Sequence, residues 1–274
     1  MRRARKHATA LTAILSVALA VLLAPAAALA GKPKGEYAVF SACPLGTAGV
    51  TQCVYAQFTG GELTLGSLHV PIGHTITMQG GLIVSETSET FVNPTEGQTL
   101  SPTAQEVPGG LLGLPGHESE SSAFSIAMEL AGSVSLSRGN LAGETGTALK
   151  LPVRVHLKNV FLGEACFIGT TTAPVTLNLT TGATSPPKPN LPIKGSKGEF
   201  ESKEGGNLVV YKNDSLVENA FSSPAPKGCG GAQESLIVPV LNSKYGWPSA
   251  AGKNTAVLKG TSKFASAAAV KASE

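Results

Sequence analysis

The sequence predicts an all-β protein: a disulfide-stapled β-sandwich or open barrel with long Pro/Gly-rich loops and at most one short C-terminal helix. Three observations carry this. Short segments alternate apolar and polar residues with the period of a half-buried strand, most clearly in residues 148–158. The 32 glycines and 18 prolines break the chain often, while charged residues make up only 14% of it. Four cysteines, Cys43, Cys53, Cys166 and Cys229, follow what reads as an export signal, and an even count in an exported chain reads as two disulfides.

The export signal comes first. Residues 1–7 are cationic, residues 8–30 are almost wholly apolar, and the run ends in Ala28-Leu29-Ala30 before Gly31. A positive start, an apolar middle and small residues at the exit form the secretory pattern, with cleavage expected between Ala30 and Gly31. A run of this length can also anchor a chain in a bilayer, but Pro25 and the small-residue exit favour cleavage. The expected organisation is a signal peptide (1–30), a single β-rich extracellular domain (31–260) and a flexible Ala/Ser/Lys tail (261–274). The mature protein is then secreted or held in the extracytoplasmic cell envelope, with no transmembrane segment after processing. Loss of Arg2, Arg3, Arg5 and Lys6 leaves 17 basic against 18 acidic residues, a balance that excludes nucleic acid as an expected partner.

Along the mature chain, residues 31–35 read as a lead-in to strands at 37–41, 51–58, 62–70 and 75–79, with Gly66-Ser67 as a hairpin turn. Residues 93–122 lack any sustained period and hold Pro94, Pro102, Pro108 and Pro115. They also hold Leu111, Leu112 and Leu114 among glycines. A loop this long is usually functional or marks a boundary. Residues 124–130 read as a strand, with Val134 and Leu136 beginning its partner across Gly132-Ser133. In 148–158 the residues Leu149, Leu151, Val153, Val155 and Leu157 form one face and Lys150, Pro152, Arg154, His156 and Lys158 the other. Pro152 implies an edge or a bulge there. Residues 175–179 and 208–211 are further strands, separated by a Pro/Gly loop at 182–198. Leu236, Ile237, Val240 and Leu241 recur at helical spacing, with Pro239 acceptable if it falls in a first turn.

Four cysteines allow three pairings. The most economical joins Cys43 to Cys53 across a short loop and Cys166 to Cys229 across a long one. No C-x-x-C pair exists and no histidine stands near a cysteine at zinc spacing, so neither metal nor cofactor is expected.

The search for chemistry returns mostly absences. Asp214 is the only aspartate, which removes the clustered Asp ligands of calcium loops, and there is no G-x-S-x-G elbow. His117-Glu118 opens like a zinc-protease helix without the second histidine. Ser185 and Lys188 have the S-x-x-K spacing, but the two intervening prolines oppose the helix that chemistry needs. Glu199 and Glu201 would share one strand face as a carboxylate pair; Glu86 and Glu89 would not. Of the remaining histidines, His69 and His156 fall on polar strand faces and read as exposed. His69 and His74 flank one turn without a third ligand.

Several stretches together resemble a group of exported actinobacterial proteins with no assigned activity. They are residues 35–40 with Cys43-Pro44, residues 107–111, residues 161–166 with Ile168-Gly169, residues 177–182, and residues 246–256 around Trp247. The resemblance implies an exported envelope or extracellular protein and carries no catalytic residue. The expected role is non-enzymatic: a secreted or envelope-associated binding or structural protein. Leu111, Leu112 and Leu114 are the candidate contact with an apolar ligand or an envelope component. The alternative is a secreted hydrolase acting on polysaccharide through paired glutamates.

Overall fold

The computed structural model describes residues 31–114, 116 and 120–274. The expected signal peptide, residues 1–30, with Ala30 of its cleavage site, lies outside the described residues.

A 3-10 turn, Gly35–Phe40, precedes β1 (Val50–Leu65), β2 (Leu68–Pro71), β3 (Ile76–Val84) and β4 (Glu89–Val92). Next come β5 (Gln105–Glu106), β6 (Ser125–Leu130), β7 (Ser135–Leu136), helix α1 (Arg138–Gly143), β8 (Leu149–Lys158), β9 (Phe167–Ile168) and β10 (Val175–Leu179). The chain ends through β11 (Glu199–Lys203), β12 (Leu208–Glu218), β13 (Pro226–Lys227), α2 (Glu234–Tyr245), β14 (Asn254–Ser266) and α3 (Ala267–Ala272).

These strands form two antiparallel seven-stranded sheets among the described residues. One runs β11-β12-β14-β1-β3-β4 with β2 on β1; the other runs β13-β9-β8-β6-β5 with β7 and β10 on β8. One core joins their inner faces, including Val54, Ala56 and Phe58 of β1 and Val153, Val155 and Leu157 of β8. The fold is therefore a sandwich, and both disulfides form: Cys43–Cys53 with Cα atoms 5.4 Å apart and Cys166–Cys229 at 4.2 Å.

Local chemistry explains the long strands of the first sheet. Its ladders slip by one residue between Phe58 and Gly60 in β1 and between Lys212 and Asp214 in β12, on either side of Gly260 in β14. Thr59 and Asn213 are the extra residues of two bulges. The slip changes which alternate residues face inward, so Val54, Ala56 and Phe58 are succeeded by Leu63 and Leu65. Gly260 is obligatory here, because an added Cβ would lie 1.8 Å from the Gln57 carbonyl oxygen.

Five expectations need correction. Residues 37–41 are not a strand: the chain there is the 3-10 turn Gly35–Phe40, which buries Phe40. Residues 261–274 are not a flexible tail: β14 continues to Ser266, and α3 buries Ala267 and Val270 against Phe40, Cys53, Leu208 and Val210 on the outer face of the first sheet. Small side chains let that helix lie close to the sheet, which no run of large apolar residues announces. Next, β6 and β7 do not pair with each other; both lie along β8, β6 opposite residues 153–158 and β7 opposite residues 149–150. Pro152 thus occupies a central strand. Its carbonyl accepts from the Ala131 amide at the gap between β6 and β7, the side on which the missing N–H costs no ladder bond. Finally, Pro239 is the sixth residue of α2, not in its first turn. Ser235, whose carbonyl loses its helical partner, is exposed to water.

Candidate functional site: an apolar end beside a polar groove

Helix α2 closes one end of the sandwich. Leu241 and Tyr245 are buried and Ile237 and Val238 pack on the core. Its C-terminus receives the β1–β2 turn: the Ser67 amide donates to the Tyr245 carbonyl, and a Cβ on Gly66 would meet that same oxygen at 2.2 Å. The indole N–H of Trp247 donates to the Leu65 carbonyl at 2.9 Å and completes the joint.

Two loops are fastened to this helix. Lys244 Nζ donates to the Leu112 carbonyl at 2.7 Å, and the Leu111 amide donates to the Ser122 carbonyl at 2.7 Å. At the other end of the helix, Glu234 accepts from the Gly228 amide at 2.7 Å and the Gly230 amide donates to the Leu162 carbonyl. The Cys166–Cys229 bridge holds that end to β9. Asn159 fixes the same loop, donating to the Ser121 and Ala123 carbonyls and accepting from the Phe161 amide.

The consequence is a gathering of apolar side chains in water. Among the described residues, eight large hydrophobic side chains are exposed, and six of them, Leu112, Leu114, Val160, Phe161, Leu236 and Val240, surround α2 at 52–73% exposure. Of the three predicted contact leucines, Leu112 and Leu114 belong to this surface, whereas Leu111 is half-buried against the core. Val160 and Phe161, from the loop after β8, and Leu236 and Val240, from α2, are not legible as contacts, because only tertiary structure brings these two segments to the leucine loop.

Beside this end lies a polar groove on the outer face of the second sheet. Register aligns Glu106, Ser125 and Lys158 across β5, β6 and β8, and aligns Ala127, His156 and Phe167 across β6, β8 and β9. A cavity of about 500 Å³ is lined by residues that include His74, Glu106, Ser125, His156, Lys158 and Glu164. A second depression of about 470 Å³ shares His74, Glu106 and Val107 and extends the groove toward Pro71 and Pro108. The turn carrying His74 is clamped by the buried Gln105 amide, which accepts from the Gly73 and His74 amides at 2.9 Å and donates to the His74 carbonyl at 2.8 Å.

His156 is the correction within this site: it is buried, not exposed. Its Nδ1 stands 3.1 Å from Glu129, and its ring stacks on Phe167 with centroids 4.3 Å apart. Arg154 donates to the other Glu129 oxygen from Nε at 3.0 Å and from its terminal nitrogen at 2.7 Å, and its guanidinium lies over Phe167. A carboxylate so held accepts from both partners, so Nδ1 of His156 carries a proton. Its Nε2 is buried without a partner among the described residues.

The other predicted groups are scattered. His69 is exposed, with Nδ1 3.1 Å from the Thr64 hydroxyl. No group of three or more metal-ligating side chains occurs among the described residues, and His117 lies outside them. Glu199 and Glu201 are on β11, where Glu201 pairs with Lys212 and Lys203. Its hydrogen bond from Lys212 holds its carboxyl below the usual carboxylate range. Glu89 pairs with Arg138, and Ser185 and Lys188 lie in a loop between β10 and β11.

No protein-family model, curated protein or solved structure matches this chain. No helix among the described residues is long and apolar enough to cross a membrane.

Proposed function

We propose that this is an exported, non-enzymatic protein that binds the lipid surface of the cell envelope through the apolar end around α2. The observation that carries the reading is the convergence of Leu112, Leu114, Val160, Phe161, Leu236 and Val240 on one end. A fully buried side chain of this size contributes roughly 1.5–3 kcal/mol, so six held in water forgo a stabilisation that a covering surface restores.

Shape and charge favour a lipid surface. The six side chains stand on two turns and one convex helix, and a bilayer interface takes up such protrusions without a matching surface. The exposed residues of α2 include Leu236, Pro239, Val240 and one charged group, Lys244, while Glu234 is engaged by the Gly228 amide. Such a face is attracted by anionic headgroups. The two disulfides support an oxidising, extracytoplasmic compartment. The polysaccharide-hydrolase alternative finds no support in its carboxylate pair, since Glu201 is bound by two lysines.

The test is co-sedimentation of the mature protein with phosphatidylglycerol-containing vesicles and with pure phosphatidylcholine vesicles. Association with the anionic vesicles, weakened in phosphatidylcholine, is expected. Failure to sediment with either, or a stable dimer in analytical ultracentrifugation that buries this end, would overturn the proposal.

A further inference from the structure

We infer that the groove over β5, β6 and β8 is a binding site for a neutral, polyhydroxylated ligand, an oligosaccharide. The inference rests on the groove alone and is independent of the lipid contact at α2.

The unpartnered Nε2 of His156 calls for a hydrogen-bonding group on the ligand. Nδ1 is turned to Glu129, which leaves Nε2 on the opposite side of the ring, the side of Ser125 and Lys158. Register places Ser125 directly across from Lys158, two residues along β8 from His156, so the three side chains share one face. A buried ring nitrogen without a hydrogen-bond partner is costly, and a ligand hydroxyl, which both donates and accepts, is a partner of the right size.

Charge narrows the class. An anionic ligand would meet the carboxylates of Glu106 and Glu164, and a cationic one would meet Lys158, all of which line the same cavity. A ligand bearing many hydroxyls uses both signs, donating to Glu106 and Glu164, accepting from Lys158 and Ser125, and bonding His156 Nε2 in either direction. Val160 adds exposed apolar lining for the C–H face of a sugar ring, and Phe161, exposed beside it at the rim, can stack on one.

Size and stiffness agree. A cavity of about 500 Å³ that continues into one of about 470 Å³ makes an elongated groove suited to a chain of sugars. Its parts are held before any ligand arrives: His156 by Glu129 and Phe167, the His74 turn by Gln105, and the Val160 loop by Asn159. Preorganisation of this kind lowers the ordering cost of binding.

The test is titration calorimetry and saturation-transfer NMR of the mature protein with cellotetraose, chitotetraose, maltotetraose and mannotetraose at millimolar concentration. At least one is expected to bind. Lys158→Ala and Glu106→Gln, both at accessible positions, are each expected to weaken it by about tenfold, the effect of one well-made hydrogen bond of about 1.4 kcal/mol. His156→Gln should do the same, with near-UV circular dichroism to confirm its fold. No binding by any of the four sugars overturns the inference, as does binding that Lys158→Ala and Glu106→Gln leave unchanged. Shortening of the sugar during titration supports the site and overturns the non-enzymatic reading above, so the two proposals fail separately.

Discussion

Lys244 reaches from the last turn of α2 to donate a hydrogen bond to the Leu112 carbonyl at 2.7 Å, joining residues 132 positions apart in sequence. The leucine loop is thereby held against the helix whose exposed face carries Leu236 and Val240, instead of swinging freely on its glycines. The apolar end is one surface because of such ties, and they make it testable.

Lys244→Met keeps the apolar stem and removes the donor. The exposed hydrogen bond contributes on the order of 0.5–1 kcal/mol, so the melting temperature should change little. Hydrogen–deuterium exchange in residues 110–114 should become faster while β8 stays protected. Unchanged exchange in the loop would show that Lys244 does not hold it.

Asp214 provides a pH test of the sandwich. Burial beside the bulges of β1 and β12 pushes its carboxyl up from 3.8 to about 6, opposed by the Ser262 hydroxyl and the Gly260 amide. The folded state therefore binds the proton more tightly than the unfolded one. This group's contribution to stability is full below pH 3.8 and is lost as the pH rises through about 6. Between pH 7.5 and pH 5 it should add about 1 kcal/mol. Asp214→Asn should remove that increment while keeping an acceptor for Ser262. Wild type and variant with identical pH dependence of melting would contradict the assignment.

Val270 tests whether the C-terminal segment belongs to the core. It is fully buried with Phe40, Cys53 and Ala265, so Val270→Ser should cost about 2 kcal/mol. An unchanged denaturation midpoint would return this segment to the status of a loose tail.

The strands and staples were largely legible. Period-two alternation located β8 and β10, Gly66-Ser67 marked a true hairpin turn, and loop economy chose the disulfide pairing that forms. The errors have physical causes. Residues 261–274 pack through alanines, a valine and backbone proximity, which hydrophobic patterning undervalues. His156 sits on a polar face by alternation, yet Glu129, Arg154 and Phe167 from neighbouring strands cover it. The groove depends on the register of Glu106, Ser125 and Lys158, and pairing across three strands is not written in any one of them. The apolar end was glimpsed through its leucine loop alone, because Phe161 and Val240 reach it only through tertiary contacts.

The Cys166–Cys229 bridge, spanning 63 residues, closes a longer loop than Cys43–Cys53, which spans 10. In the chain-entropy model the two contribute about 4 and about 3 kcal/mol. The paired serine variant of the long bridge should therefore lose more in urea denaturation. It should also loosen residues 159–166 at the rim of both surfaces. Equal or reversed losses would mean that native-state strain or residual unfolded structure outweighs loop length here.

The most direct test of the lipid-surface claim is the double variant Leu112→Ser, Leu114→Ser, measured for both thermal melting and sedimentation with phosphatidylglycerol vesicles. Both side chains are more than half exposed, so the melting temperature should stay close to that of wild type while vesicle association falls by tenfold or more, about 1.4 kcal/mol. A markedly lower melting temperature would make these leucines part of the core. Undiminished vesicle association would remove them from the contact, and either result would contradict the account.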